Sequence, residues 1–175
     1  MANADTSESS ARSGLYWIRI IAYWFFTLTV ALEMIAGSMW DLLQIEYVRS
    51  VMTHLGYPLY VLFIIGAWKF PCAVTLLVPR FVRLKEWAYA GAFFNYTGAA
   101  GSHVLAGDPA GKWLGPLVFA ALVLASWALR PPDRRVPLTA PATPARVSSW
   151  IIPLGMVLVF LVFALLTLPK GPPPP

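Results

Sequence analysis

Five stretches of the chain are long and apolar enough to cross a lipid bilayer, and this pattern limits the possible folds more than any other feature. A membrane-spanning helix needs about 20 mainly apolar residues. The predicted spans cover residues 16–40, 57–78, 87–105, 113–129 and 150–168. The sequence therefore predicts an all-α integral membrane protein with several passes.

The charged fraction supports the same class of protein. Only 12% of the 175 residues are Asp, Glu, Lys or Arg, whereas soluble domains carry about 25%. This excludes a soluble globular domain, and the single cysteine excludes a disulfide scaffold. In a soluble protein the net charge of +5 would suggest nucleic acid. Here the basic residues are better explained as topology signals, so the lipid bilayer is the expected partner and nucleic acid is not.

Most of the basic residues fall on one side of the predicted spans. Nine of the thirteen lie in the N-terminal region and in the loops after the second and fourth spans. These nine are Arg12, Arg19, Arg80, Arg83, Lys85, Arg130, Arg134, Arg135 and Arg146. Cytoplasmic loops are enriched in Lys and Arg. The bias therefore predicts a multi-pass protein of the cytoplasmic membrane, with its N-terminus in the cytoplasm and, after five spans, its C-terminus outside.

Polar and proline-rich segments divide the chain. Residues 1–14 are predicted to be a disordered cytoplasmic tail, and residues 15–132 to hold the first four spans. A proline-rich linker is expected over 133–148, the fifth helix over 149–169 and a polyproline tail over 170–175.

The segment between the first two spans, residues 41–56, has the pattern of an amphipathic helix. One apolar stripe follows helical spacing: Leu42, Ile45, Val48, Met52 and Leu55. Two interpretations stay open. The segment is either a lid over a site inside the bundle or a connector that covers the helix ends.

Two charged residues, Glu33 and Lys69, lie within predicted spans. A charge at the bilayer centre costs about 2.5–3.5 kcal/mol on insertion scales, so each needs a compensating role. Their estimated depths predict an ion pair between the first two spans, either structural or active in proton handling or head-group binding. Trp68 lies deep enough to line a cavity for a flat ligand. Pro71 interrupts the helix beside it and points to a pocket there.

The third span carries a polar stripe that includes Asn95, Ser102 and His103. His103 has three possible roles: a hydrogen bond to a quinone carbonyl, a proton relay, or a bond to a backbone carbonyl. Glycines of the same span, at 91, 98 and 101, offer a packing explanation for part of this face. No metal site is predicted, because the histidines, His54 and His103, lack metal-ligand spacing.

The runs HLGYPLYVLFIIGAWK (54–69) and LVPRFVRLKEWAYAGAFFNYTGAAGSHVLAGD (77–108) closely resemble the DoxX-like family of small membrane proteins. The resemblance covers residues 15–132 and implies a four-helix bundle in a bacterial inner membrane, to which the fifth helix is an addition. The family takes its name from a subunit associated with a terminal quinol oxidase and thiosulfate:quinone oxidation. Asn95 departs from the pattern, which more often has an acid there. The family's lysine after the first helix's glycine is also absent.

Two functions follow from this resemblance and from the polar groups. The first is a quinone-associated accessory subunit of a membrane redox system, with no intrinsic cofactor, acting with a redox partner or as a homo-oligomer. The alternative is a non-enzymatic membrane scaffold, assembly factor or small-molecule transport component. The candidate ligand-binding residues are Glu33, Lys69, Trp68, Asn95, Ser102 and His103. No catalytic residues are predicted, since no nucleophile–base pair is found.

Overall fold

The structure, a computed structural model, describes residues 2–137 and, further on, residues 151, 155, 158–160 and 162. Side chains are described from residue 13 onward. The elements are α1 (Ala2–Leu42), α2 (Glu46–His54), α3 (Tyr60–Leu77), α4 (Val82–Leu105), α5 (Ala110–Leu129) and a 3₁₀ turn, Pro132–Arg134. The chain forms two compact units, Met1–Pro137 and Leu138–Pro175.

Four long helices of the first unit form a closed bundle. α1 packs between α3 and α5, and α4 packs between the same two helices on the other side. The core contains small and aromatic residues from all four: Val30, Ala31, Met34, Ala73, Leu76, Ala88, Tyr89, Ala92, Tyr96, Ala120 and Val123. The predicted all-α membrane bundle is confirmed.

Within the described residues, three helices are both long and apolar enough to cross a membrane: Ser13–Leu42 of α1, Tyr60–Leu77 and Ala110–Leu129. α4 has 24 residues, or about 36 Å at 1.5 Å per residue, which is long enough to span. It is less apolar because its first turns hold charged residues and its later turns hold the polar stripe. It nevertheless completes the bundle between α3 and α5.

The start of the first helix differs from the prediction. α1 begins at Ala2, so the structure places helix where residues 1–14 were expected to be disordered. Residues 2–13 contain neither Pro nor Gly, so nothing local stops the helix. In the C-terminal unit, the described residues 151, 155, 158–160 and 162 are helical, and the other residues of the predicted fifth helix lie outside the described part of the chain. Most of the proline-rich linker and the whole polyproline tail lie outside the described residues.

The contact between α1 and α3 depends on two glycines. A Cβ at Gly66 would lie 3.0 Å from the side chains of Asp41 and Leu42, and a Cβ at Gly37 would lie 3.1 Å from the Lys69 ammonium. The Ser38 hydroxyl donates to the Gly66 carbonyl at 2.7 Å. Close packing through glycine therefore occurs here.

The glycines of α4 do not have the packing role considered for them. A Cβ added at Gly91, Gly98 or Gly101 would meet no atom within 4 Å. The face of α4 that is buried in the bundle consists instead of alanines and tyrosines. The physical reason is that the polar stripe and these glycines lie beside that face rather than on it.

Lys85 closes the C-terminal end of α3. Its side chain is fully buried, and its ammonium donates to the main-chain carbonyls of Thr75, Leu76 and Val78. The last carbonyls of a helix have no partner within the helix, and a cation there also interacts favourably with the helix dipole. Lys85 is therefore a structural group as well as a basic residue of the predicted cytoplasmic side.

Arginines complete the same end of the bundle. Arg134 donates to the carbonyls of Leu76 and Leu77 at the end of α3. Arg19, from α1, donates to the carbonyls of Leu129 and Arg130 at the end of α5. We call this end of the bundle the basic end.

Candidate functional site

A cleft of about 560 Å³ opens between α3 and α4, beside α1. Its walls are mainly apolar, and the indoles of Trp68 and Trp87, which are 73% and 79% exposed, form its rim. Its polar groups come from Lys69, Cys72, Thr75 and Asn95. Ligand pockets are generally concave and apolar with a few polar groups, and this volume is within their usual range.

Three of the six predicted ligand-binding residues line this cleft, namely Trp68, Lys69 and Asn95. Pro71 lines it as well, as its position in the second span suggested. A proline inside a helix removes one main-chain hydrogen bond, so α3 lacks one such bond at the wall of the cleft.

Lys69 forms an ion pair with Asp41, at 2.9 Å between Nζ and Oδ2, and not with Glu33 as predicted. Side chains on a helix tilt toward its N-terminus, and in α3 this direction leads to the end of the bundle at which α1 finishes. Because α1 continues to Leu42, Asp41 is still helical and its side chain is only 6% exposed. The lysine therefore meets a carboxylate two turns beyond the expected one.

Glu33 lies close to this pair without joining it. Its Oε1 atom is 3.2 Å from the position of a Cβ at Gly37, and the Lys69 ammonium is 3.1 Å from the same point. The missing side chain of Gly37 thus leaves a space that both charged groups border. Glu33 accepts a hydrogen bond from the hydroxyl of Tyr96 on α4, across the bundle. Tyr96 also stacks on Phe119 of α5.

The remaining two predicted residues, Ser102 and His103, lie away from the cleft, at the end of the bundle opposite the basic end. Ser102 shares a hydrogen bond with Tyr57 at 2.8 Å. His103 Nδ1 lies 2.7 Å from Asp108, and His54 at the end of α2 lies 2.9 Å from the same carboxylate. We call His54, His103 and Asp108 the outer cluster.

The outer cluster attaches α2 to the loop between α4 and α5. The apolar stripe of residues 45–55 is half-buried, and no residue of α2 is fully buried. The hydrogen bond between His54 and Asp108 is therefore the defined contact that holds the end of α2. α2 covers Glu46–His54 and is shorter than the predicted amphipathic segment, because Asp41 and Leu42 belong to α1. The lid and connector interpretations are both compatible with this position.

Because of the outer cluster, the stability of the folded protein should decrease at acid pH. The hydrogen bond from His103, with help from His54, lowers the pKa of Asp108 below its usual value. A carboxyl group whose pKa is lowered by folding stabilises the folded protein at pH values above its usual pKa, about 4. This stabilisation is lost as the pH falls through the lower pKa of the folded protein. We expect Asp108→Asn to lower the melting temperature at neutral pH, with the difference from the parent shrinking below about pH 4.

Thermal unfolding in detergent between about pH 3 and 7 measures this effect. Glu46→Gln is the control, since Glu46 lies on the exposed side of α2, outside the cluster. A difference between Asp108→Asn and the parent that stays constant through the acid range would contradict the assigned role of the carboxylate.

Sequence reasoning missed Asp41, Tyr96 and Asp108. A signal for Asp41 was present: Glu33, Gly37 and Asp41 are spaced four residues apart, which places them on one face of a helix. Tyr96 carried no such signal, because its partner Glu33 is 63 positions away along the chain. Asp108 is five positions from His103 and 54 from His54, but it lies in the loop after α4, outside the helical spacing. Among the described residues, no group of three or more His, Cys, Asp or Glu side chains is placed to hold a metal ion.

The fold and cleft define the class of this protein as a membrane-embedded four-helix bundle with a pocket between two of its helices. The chain belongs to the DoxX-like family, whose model matches residues 25–126, more than half of its length. The match includes every residue that lines the cleft. No curated protein and no solved structure matches the chain.

Proposed function

We propose that this protein binds a quinone in the cleft between α3 and α4 and serves as an accessory subunit of a membrane redox system. The observation that carries the proposal is the presence of the Lys69 ammonium in an otherwise apolar cleft whose rim is exposed. In a membrane protein an exposed apolar rim faces lipid, so a lipid-soluble molecule can enter from the bilayer. A quinone has this solubility and carries carbonyl oxygens that accept hydrogen bonds.

The residues of the cleft suit such a ring. An ammonium has three N–H donors, and Asp41 accepts from one of them at 2.9 Å. The other donors of Lys69, or the amide of Asn95, are available for a ring carbonyl. Flat rings stack favourably on indoles, and Trp68 and Trp87 stand at the rim.

The chain's own residues bind and orient the ring in this proposal. A bound quinone would supply two-electron redox chemistry, while Lys69 would hold one carbonyl and the apolar walls would exclude water. Glu33, which accepts a hydrogen bond from Tyr96, borders the space beside Gly37 that the Lys69 ammonium also borders. Electrons would have to pass to a redox partner, since no metal-holding group is found among the described residues.

The proposed setting is the cytoplasmic membrane of a bacterium, with the basic end in the cytoplasm. The excess of Lys and Arg at that end supports this orientation. The basic end and the outer cluster lie at opposite ends of α4. The α4 residues that line the cleft lie between Leu84 and Asn95, in the half of α4 nearer the basic end. The quinone ring would therefore bind between the middle of the bundle and that end.

We expect the protein purified in mild detergent to retain a quinone, and Lys69→Met to reduce the retained amount about tenfold or more. A hydrogen bond to a charged group contributes about 1.5–3 kcal/mol, and about 1.4 kcal/mol is a tenfold change in affinity. Quantitative mass spectrometry of solvent extracts measures quinone per protein chain.

His103→Ala is the matched control, because His103 contacts Asp108 at the outer cluster and does not line the cleft. It should keep its quinone even if the melting temperature falls. A parent protein without quinone, or equal retention by the Lys69 and His103 variants, would contradict the proposal. The non-enzymatic scaffold, assembly or transport function would then account better for the fold.

A further inference from the structure

We infer that the cleft selects neutral amphiphiles, whose polar end is an uncharged carbonyl, and rejects anionic ones such as fatty acids. This inference rests on the proposed function and deepens it by naming the chemical class of the ligand. It starts from an apparent contradiction, because a lone lysine in an apolar cleft would be expected to attract carboxylates.

The surroundings of Lys69 remove that attraction. Its ammonium is paired with Asp41 at 2.9 Å, and the two side chains are only 14% and 6% exposed. Glu33 provides a second carboxylate, which borders the same space beside Gly37. Among the residues that line the cleft, Lys69 is the charged one. One ammonium therefore faces two carboxylates.

A carboxylate ligand would add a third negative group to this site. Like charges brought together in a poorly hydrated environment repel strongly, because the protein interior screens them much less than water does. A neutral carbonyl needs only an N–H donor, and the ammonium keeps donors after pairing with Asp41. Asp41 and Glu33 thus act as specificity-determining residues, although Lys69 makes the contact.

The test compares two probes that share one acyl chain and differ in the charge of the head group: a bromine-tailed fatty acid and its methyl ester. Bromine quenches tryptophan fluorescence at short range, and Trp68 and Trp87 stand at the rim of the cleft. Titrations are made at about pH 8, where the free carboxyl group is ionised. For the parent protein we expect the ester to bind at least tenfold more tightly than the acid, roughly what a small like-charge penalty produces.

Removing the carboxylates should shift this preference in steps. Asp41→Asn should narrow the gap between ester and acid, because Glu33 still offsets the ammonium. Asp41→Asn combined with Glu33→Gln leaves Lys69 without a partner and should make the acid the tighter ligand. Glu46→Gln, at an exposed acid of α2 outside the cleft, should leave the ratio unchanged.

Lys69→Met provides a second route if the carboxylate variants do not fold. It leaves the carboxylates without their cation, so acid binding should fall further than ester binding. A parent that prefers the acid, or a ratio that is the same in all variants, would overturn the inference. The proposed function is contradicted by a different result, namely a parent protein that retains no quinone. A parent protein that retains a quinone but binds ester and acid equally well would refute only the inferred specificity.

Discussion

Replacing Lys85 by Met should destabilise the bundle by about 3 kcal/mol or more, since a buried acceptor left without its donor costs about 1–3 kcal/mol. The Lys85 ammonium donates to three main-chain carbonyls at the end of α3. Of these, Leu76 keeps a second donor in Arg134, so two carbonyls lose the cation entirely. Methionine fills a similar volume and cannot donate, which separates loss of the hydrogen bonds from loss of packing.

The measurement is thermal unfolding in detergent, followed by circular dichroism. Lys112→Met is the matched control, because Lys112 is exposed in the first turn of α5. It should change stability by less than about 0.5 kcal/mol, as is usual for surface substitutions. Equal stability of the two variants would show that the end of α3 does not need Lys85.

Gly66→Ala should also weaken the bundle, although alanine favours helix. The new methyl group would lie 3.0 Å from the side chains of Asp41 and Leu42 and 3.1 Å from the Ser38 carbonyl. Because one of these neighbours is backbone, α1 and α3 would have to separate. Overpacking of this kind costs about 1–3 kcal/mol, which exceeds the gain of about 1 kcal/mol from helix propensity. The separation would also disturb the Asp41–Lys69 pair and lower quinone retention.

Gly98→Ala isolates the propensity effect, because a Cβ at Gly98 meets no atom within 4 Å. The same substitution should there raise stability by up to about 1 kcal/mol. We therefore expect thermal unfolding to show a loss of stability for Gly66→Ala and a gain for Gly98→Ala. A Gly66→Ala protein as stable as Gly98→Ala would mean that α1 and α3 are not in close contact.

The fold could be predicted from the sequence because its main determinant is local. Long apolar stretches identify most of the helices. Short loops, residues 78–81 and 106–109, connect α3 to α4 and α4 to α5, so these consecutive helices pack as neighbours. The position of the pocket was also accessible, since Trp68, Lys69 and Pro71 are close together in one span. Asn95, from the third span, lines the same cleft.

The partner of Lys69 could not be predicted from depth alone. The depths of Glu33 and Lys69 in the membrane follow from their positions along the helices, but these depths do not include the direction in which a long side chain extends. That direction, toward the N-terminus of α3, adds the reach of the lysine chain and favours Asp41. The partner of His103 could not be predicted either. This partner, Asp108, lies in a loop, and the sequence pattern does not determine the conformation of that loop.

Two arginines after α5 make contacts that define the end of the first compact unit. Arg130 binds Glu86 at 2.6 Å and lies over the ring of Tyr89, while Arg134 reaches the carbonyls that finish α3. The family match stops at residue 126, before both arginines. A fragment cut at that boundary would lose these contacts, which link the segment after α5 to α4 and α3, so the compact unit extends to residue 137.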